Sequence, residues 1–247
     1  MIPPAIALFS AMLKERGHEV EVFDTTYYLV DQGTNSDKAM EDTLAVIPSN
    51  LADRGIKMKE TLWEDDLQNH INKFKPDLIG ISATEDMWEL GEKLLENIKD
   101  YKIKNNVPLI AGGVFPTFAP ELVIKNEVVD IVSALLDLCE RIKKGEKDFS
   151  NLTNCWVKTI GPEYLKDRNQ VIKNPISKPV DVNKNPIIDL SLFETNRLFR
   201  PMGGQIYKMF PVETIRGCPY TCTFCNSPDQ MRLYNEQSDG GFFRKKR

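Results

Sequence analysis

Long apolar runs are missing from this 247-residue sequence, and no stretch approaches the roughly 20 residues needed to cross a bilayer. The N-terminus lacks a cationic flank leading into an apolar segment, so no cleaved secretion signal is expected. An excess of one charge is missing too. The formal net charge is −4, with both signs spread along the chain, which argues against a nucleic-acid surface and against a membrane-seeking face. The one basic run, Arg244 to Arg247, reads as a solvated tail. Cysteines are few and odd in number, five in all, and three of them fall between positions 218 and 225. A secreted disulfide framework spreads an even count along a short chain. Clustered thiols point instead to a metal in a reducing compartment, and the cytoplasm is the expected location. What is present is an ordinary hydrophobic fraction of 41 %, enough for one full domain and part of another.

Residues 1 to about 145 alternate short apolar runs with helical patterns, as parallel α/β proteins do. Pro3 and Pro4 can open a helix whose face is marked by Ala7, Leu8, Ala11 and Met12, with Gly17 as its stop. Strands are expected at Glu19 to Phe23, Asp77 to Ser82, Val107 to Ala111 and Val128 to Val132. Helices are expected at Leu62 to Phe74, Met87 to Ile103, Pro116 to Lys125 and Ala134 to Lys144. Gln32 to Lys59 is polar and reads as an excursion from the core. From 146 to 209, prolines at 162, 175, 179, 186 and 201 forbid long helices and break any central strand. That stretch reads as a linker with a small hairpin, Asn154 to Lys158 against Gln170 to Lys173. A third unit, 210–247, opens with a strand at Val212 to Ile215 and continues through the cysteine loop into a helix toward Tyr234.

The loop reads Arg216-Gly217-Cys218-Pro219-Tyr220-Thr221-Cys222-Thr223-Phe224-Cys225-Asn226. Three thiolates at this spacing can wrap one face of a cubane cluster, with Gly217 allowing close backbone approach and Pro219 stiffening the turn. A [4Fe–4S] cube has four irons, so three cysteines leave one open to bind and activate a small molecule. Structural zinc wants four ligands. Only Cys139, Cys155, His18 and His70 remain as a fourth, and Cys139 and Cys155 read as buried structural thiols. A redox pair at Cys222 and Cys225 leaves Cys218 unexplained. His18, in a helix-to-strand turn, and His70, on an amphipathic helix, read as surface residues.

The phrase from Arg216 to Cys225, with Asn226-Ser227-Pro228 after it, resembles the cluster signature of radical S-adenosylmethionine (SAM) enzymes. The resemblance implies that Cys218, Cys222 and Cys225 hold a [4Fe–4S] cluster whose open iron chelates the amino and carboxylate groups of SAM. One electron from the reduced cluster then cleaves the sulfonium to methionine and a 5′-deoxyadenosyl radical. Phe224 matches the aromatic position beside the SAM adenine; its other reading is packing of the loop. An electron donor such as a flavodoxin or ferredoxin is the implied partner, with a substrate the sequence does not name.

Ahead of it, residues 1–145 resemble the cobalamin (B12)-binding domain found before many radical SAM domains. The matching stretches are Ala5 to Asp24, Lys75 to Ser82, and Ala111-Gly112-Gly113 with Pro116-Thr117 and Pro120-Glu121. The implied fold is a Rossmann-like (flavodoxin-like) parallel sheet, then a proline-rich linker, then the first strand and cluster loop of a partial TIM-type barrel. Ligands of a doubly wound sheet sit beyond the strands' carboxyl ends. Ser82, Ala83, Thr84, Gly112 and Gly113 are therefore the candidate cobalamin contacts, and no histidine of this chain is expected on the lower face. The family pattern also has a strand before the first helix, a Gly-Glu-Gly-Glu loop where Ser133 stands, and often a histidine at position 115, here Phe115. The first two differences predict weak cobalamin binding or none. Only 22 residues follow Cys225, so the chain is expected to be truncated soon after the cluster loop and inactive alone. The intact parent would perform radical methyl transfer, cyclisation or rearrangement. The competing expectation is a non-enzymatic Rossmann-like module with a zinc-binding C-terminal knuckle.

Overall fold

The computed structural model describes residues 2–30, 42–45, 52, 55–133, 135–159, 170–202, 205–213, 215–238 and 245–246. Most of the polar excursion expected at Gln32 to Lys59 lies outside them. The chain forms two compact units, residues 21–133 and residues 1–20 with 134–247.

The 21–133 unit is a parallel sheet flanked by helices. Helix α2, Trp63–Phe74 in chain order after the first helix of the other unit, buries Trp63, Leu67 and Ile71, one residue per turn on a single face. It stops where Lys75 turns left-handed (φ 55°) and its N–H closes on the Ile71 carbonyl at 2.9 Å. Strand β1 (Ile79–Ser82) pairs with β2 (Leu109–Gly112) in register Ile79 to Leu109 through Ser82 to Gly112. Strand β3 (Ile131–Ser133) continues the ladder on the other side of β2, Ile110 opposite Ile131 and Ala111 opposite Val132. Leu109, Ala111, Val123 and Val129 are wholly buried and form the centre of this core. Helix α3 (Trp88–Asn105) links β1 to β2 and buries Trp88, Leu95 and Ile98. Asp130, just before β3, accepts from the Leu109 N–H at 2.7 Å and from Lys102 at 3.0 Å, which fixes where β3 enters the sheet.

Two expectations are corrected here. Glu19 to Phe23 alternates like a strand, yet among the described residues it joins no ladder; alternation alone cannot supply the missing neighbour's hydrogen bonds. The helix expected at Pro116 to Lys125 is two short ones, α4 (Val114–Phe118) and α5 (Pro120–Val123). Pro120 has no N–H to continue the first helix and opens the second instead.

In the other unit, α1 (Pro4–Glu15) starts on a proline and ends in a Schellman turn. Gly17 (φ 75°) donates to Lys14 and His18 donates to Leu13. A clasp from the linker holds this helix. Ser10 donates to the Asp189 carboxylate at 2.6 Å, Lys14 pairs with it at 2.7 Å, and the Asp189 N–H reaches the Ala7 carbonyl at 2.9 Å. Ile2, Ala7 and Leu198 form a small core there with Ile188, Leu190 and Phe193. His18 is a connector rather than a bare surface residue. It meets Glu140 of α6 (Leu136–Lys143) at 3.1 Å, while Lys143 reaches the Arg16 carbonyl at 2.6 Å. Strands β4 (Cys155–Thr159) and β5 (Gln170–Lys173) pair antiparallel. A second hairpin, β6 (Phe199–Met202) with β7 (Gln205–Lys208), was not foreseen. Pro201 lies in it, which a two-stranded ribbon tolerates because every strand there is an edge. The strand expected at Val212 to Ile215 is reduced to β8 (Ile215–Arg216), paired with β9 (Lys245–Lys246), and α7 (Ser227–Gln237) follows the cysteine loop.

Candidate functional site

The sheet places the five candidate cobalamin contacts side by side. Ser82 and Gly112 are register partners at the carboxyl ends of β1 and β2, and the Ala83 N–H bonds the Gly112 carbonyl at 3.3 Å. The chain then crosses back, the Phe115 N–H donating to the Ala83 carbonyl at 3.3 Å. Gly113 sits inside this knot at φ 101°. A Cβ there would stand 2.8 Å from the Ala83 carbonyl oxygen and 2.9 Å from Ser82 Oγ, so only glycine lets the two loops close. Ser82 and Thr84 are exposed at the rim, and the Thr84 hydroxyl donates to Asp86. The Phe115 ring lies 5.4 Å from that of buried Trp88, so Phe115 braces the loop with an apolar contact. The surface offered to a ligand is therefore backbone, hydroxyl and glycine, suited to a broad flat group.

Helix α2 and helix α3 leave a polar groove of about 480 Å³ at their C-terminal ends, lined by Gln68, Asp77, Lys104 and Asn106 among others. It lies beside the entry of the strands, whereas a doubly wound sheet binds its ligand beyond their carboxyl ends.

The cysteine loop is built differently. Gly217 takes φ 94° and swings the chain out of β8; Cys218 and Cys225 are half-buried and Cys222 is exposed. The Cys225 N–H bonds the Cys222 carbonyl at 3.3 Å, closing a turn just before α7. Hydrogen bonds from Ser227, by side chain and by backbone, draw the Cys225 thiol below its ordinary pKa and favour the thiolate that a metal needs. Phe224 is 90 % exposed and packs none of the loop. Among the described residues no three Cys, His, Asp or Glu side chains converge on a metal position, so the three thiols share a loop without meeting. As donors they suit an iron–sulfur cluster, being three soft sulfurs on one accessible turn.

The remaining thiols offer no fourth ligand. Burial pushes Cys139 up to about 11, and Cys155 is wholly buried in β4. His70 contacts Glu21 at 3.3 Å and lies edge-on to Phe23. Two features escaped the sequence reading: the left-handed Ser133 at the end of β3 and the Asp189 clasp. No local signal marks either, because each depends on a neighbour distant in the chain.

A parallel, helix-flanked sheet whose β1 and β2 loops close on Gly113 at the strand ends defines a Rossmann-like fold. Residues 1–134 match the model of the B12 binding domain, and the chain belongs to that family. Over 209 residues it is 23 % identical to an anaerobic magnesium-protoporphyrin IX monomethyl ester cyclase of Rubrivivax gelatinosus, covering 75 % of this chain. Over 186 residues it is 28 % identical to an uncharacterized methyltransferase of Pyrococcus horikoshii, covering 70 % of this chain. In both cases it spans only 36 % of the relative. Its fold resembles the radical SAM methyltransferase TsrM of Kitasatospora setae solved with cobalamin and a [4Fe–4S] cluster. There the TM-score is 0.54 and the identity 17 %, over 99 % of this chain and 40 % of that one. Among the described residues, no helix is long and apolar enough to cross a membrane.

Proposed function

We propose that this chain is the cobalamin-binding and cluster-loop part of a cobalamin-dependent radical SAM enzyme that performs methyl transfer, cyclisation or rearrangement. The observation that carries the reading is a B12 binding domain followed, in one chain, by the Cys218, Cys222, Cys225 loop. In this reading residues 1–145 are the cobalamin domain, 146–209 the linker, and 210–247 the start of a radical SAM barrel. Ser82, Ala83, Thr84, Gly112 and Gly113 face the cobalamin. Cys218, Cys222 and Cys225 hold the [4Fe–4S] cluster, and exposed Phe224 lies against SAM. When bound, the cluster supplies single-electron chemistry through its open iron. The protein's own contribution is to present three cysteine sulfurs on one turn, with Ser227 drawing the Cys225 thiol below its ordinary pKa, and to let the β1 and β2 loops close on Gly113. Such clustered thiols fit a reducing cytoplasm, and the electron comes from a flavodoxin- or ferredoxin-type donor.

The family match over residues 1–134 supports cobalamin binding over the expectation of weak binding or none. Equilibrium titration with hydroxocobalamin, followed by absorbance and by quenching of tryptophan fluorescence, tests it. Saturable binding of one equivalent is expected; a flat titration of the folded chain would refute the cobalamin half of the reading.

A further inference from the structure

Helix α7 begins two residues after the last cysteine of the loop, and its first turn is short of caps. The N–H groups that open a helix have no partner within it. Asn226 stands at the N-cap but makes no side-chain cap bond, and Pro228 has no N–H to offer. The Gln230 N–H bonds within the helix, reaching the Asn226 carbonyl at 3.0 Å. Asp229, the acid of the first turn, pairs forward with Arg232 at 2.8 Å. The Ser227 N–H turns to sulfur instead and donates to Cys225 Sγ at 3.4 Å. Among the described residues only Cys225, of the three loop cysteines, receives such a bond on its sulfur. A donor aimed at a ligating sulfur stabilises negative charge there, and a reduced cluster carries one more negative charge than an oxidised one. Hydrogen bonds to the sulfurs are among the factors that set iron–sulfur potentials. The positive end of α7 acts in the same direction.

Resting on the cluster reading above, we propose that Ser227 is a positioning residue whose backbone N–H holds the Cys225 sulfur and raises the reduction potential of the bound cluster. The corner of the cluster on Cys225 is thereby set apart from the other two by the first amide of the helix that follows the loop. The Ser227 hydroxyl, a second donor to the same sulfur, adds to the effect.

The test uses the full chain, reconstituted anaerobically with iron and sulfide, and a redox titration of the cluster followed by EPR. Two changes remove the amide: Ser227→Pro, at a helix position that accommodates proline, and an ester in place of the Asn226–Ser227 peptide bond. Both should shift the cluster to a more negative potential. At the natural chain's midpoint the ratio of reduced to oxidised cluster should fall roughly 3- to 10-fold. Ser227→Ala, which keeps the amide and loses only the hydroxyl, should lie between. A merely structural role would lower cluster content and leave the potential unchanged. An ester chain that holds a full cluster at the natural potential would overturn the proposal. A natural chain that takes up no iron and sulfide would sink the cluster reading itself, and this donor with it.

Discussion

The two candidate sites of this chain are assembled by opposite means. The strand-end crevice is made of backbone: Gly113 is locked between Ala83 and Ser82, the Ala83 and Phe115 amides tie the loops across, and buried Trp88 braces Phe115. The cysteine loop is made of side chains on a turn, with Cys222 exposed and Cys218 and Cys225 half-buried. A flat organic cofactor requires a surface already in place, since each ordered loop costs conformational entropy that weak peripheral contacts recover poorly. Metal–thiolate bonds are strong enough to order their own loop, so such a site can remain open until the metal arrives.

Side-chain changes should therefore abolish one site, and backbone changes should distort the other. The largest effect is expected at the cysteines. After anaerobic reconstitution with iron and sulfide, replacing Cys218, Cys222 or Cys225 by alanine should remove the iron–sulfur absorption entirely, while Cys139→Ala and Cys155→Ala retain it. Loss of the absorption in the Cys139 variant would place a ligand on α6 and break the assignment.

Next comes Gly113→Ala. The new Cβ meets the Ala83 carbonyl at 2.8 Å in a left-handed backbone, so a cost of about 2–3 kcal/mol is expected. Hydroxocobalamin affinity should fall at least about tenfold, since the crevice must spread to admit the methyl group. The iron–sulfur absorption should be unchanged, which separates the two sites in one variant.

How much of this was legible beforehand follows the same division. Gly112-Gly113 could be read as strand-end glycines from their place after an apolar run, and the Cys-x3-Cys-x2-Cys spacing is visible by inspection. Helix α1 was legible because Pro4 and Gly17 punctuate it locally. Glu19 to Phe23 misled because a strand exists only by virtue of a partner. Pro201 misled in the other direction, since proline breaks a central strand but sits easily in the β6–β7 ribbon. Ser133 could not be found at all, because serine carries no local preference for φ near 104° and only the register of three strands shows where it sits.

A smaller effect is expected at the clasp on α1. Burial works against the Asp189 charge, but hydrogen bonds from Lys14, Ser10 and Ser191 outweigh it and hold the carboxyl well below the usual carboxylate range. A group lowered in this way stabilises the fold fully above its unfolded pKa of about 4 and loses that contribution as pH falls further. Asp189→Ala should therefore cost about 2 kcal/mol at pH 7 by urea unfolding, and the gap to the natural chain should narrow below about pH 4. A constant gap from pH 7 to pH 3 would mean the carboxylate charge contributes nothing to the clasp.

The central claim is that an open three-thiol loop follows a B12 binding domain in order to hold an iron–sulfur cluster. Metal and sulfide analysis of the chain, reconstituted anaerobically with iron, sulfide and zinc all present, tests it most directly. The account predicts about four irons and four acid-labile sulfides per chain, lost on Cys222→Ala. One tightly held zinc with no sulfide would contradict it.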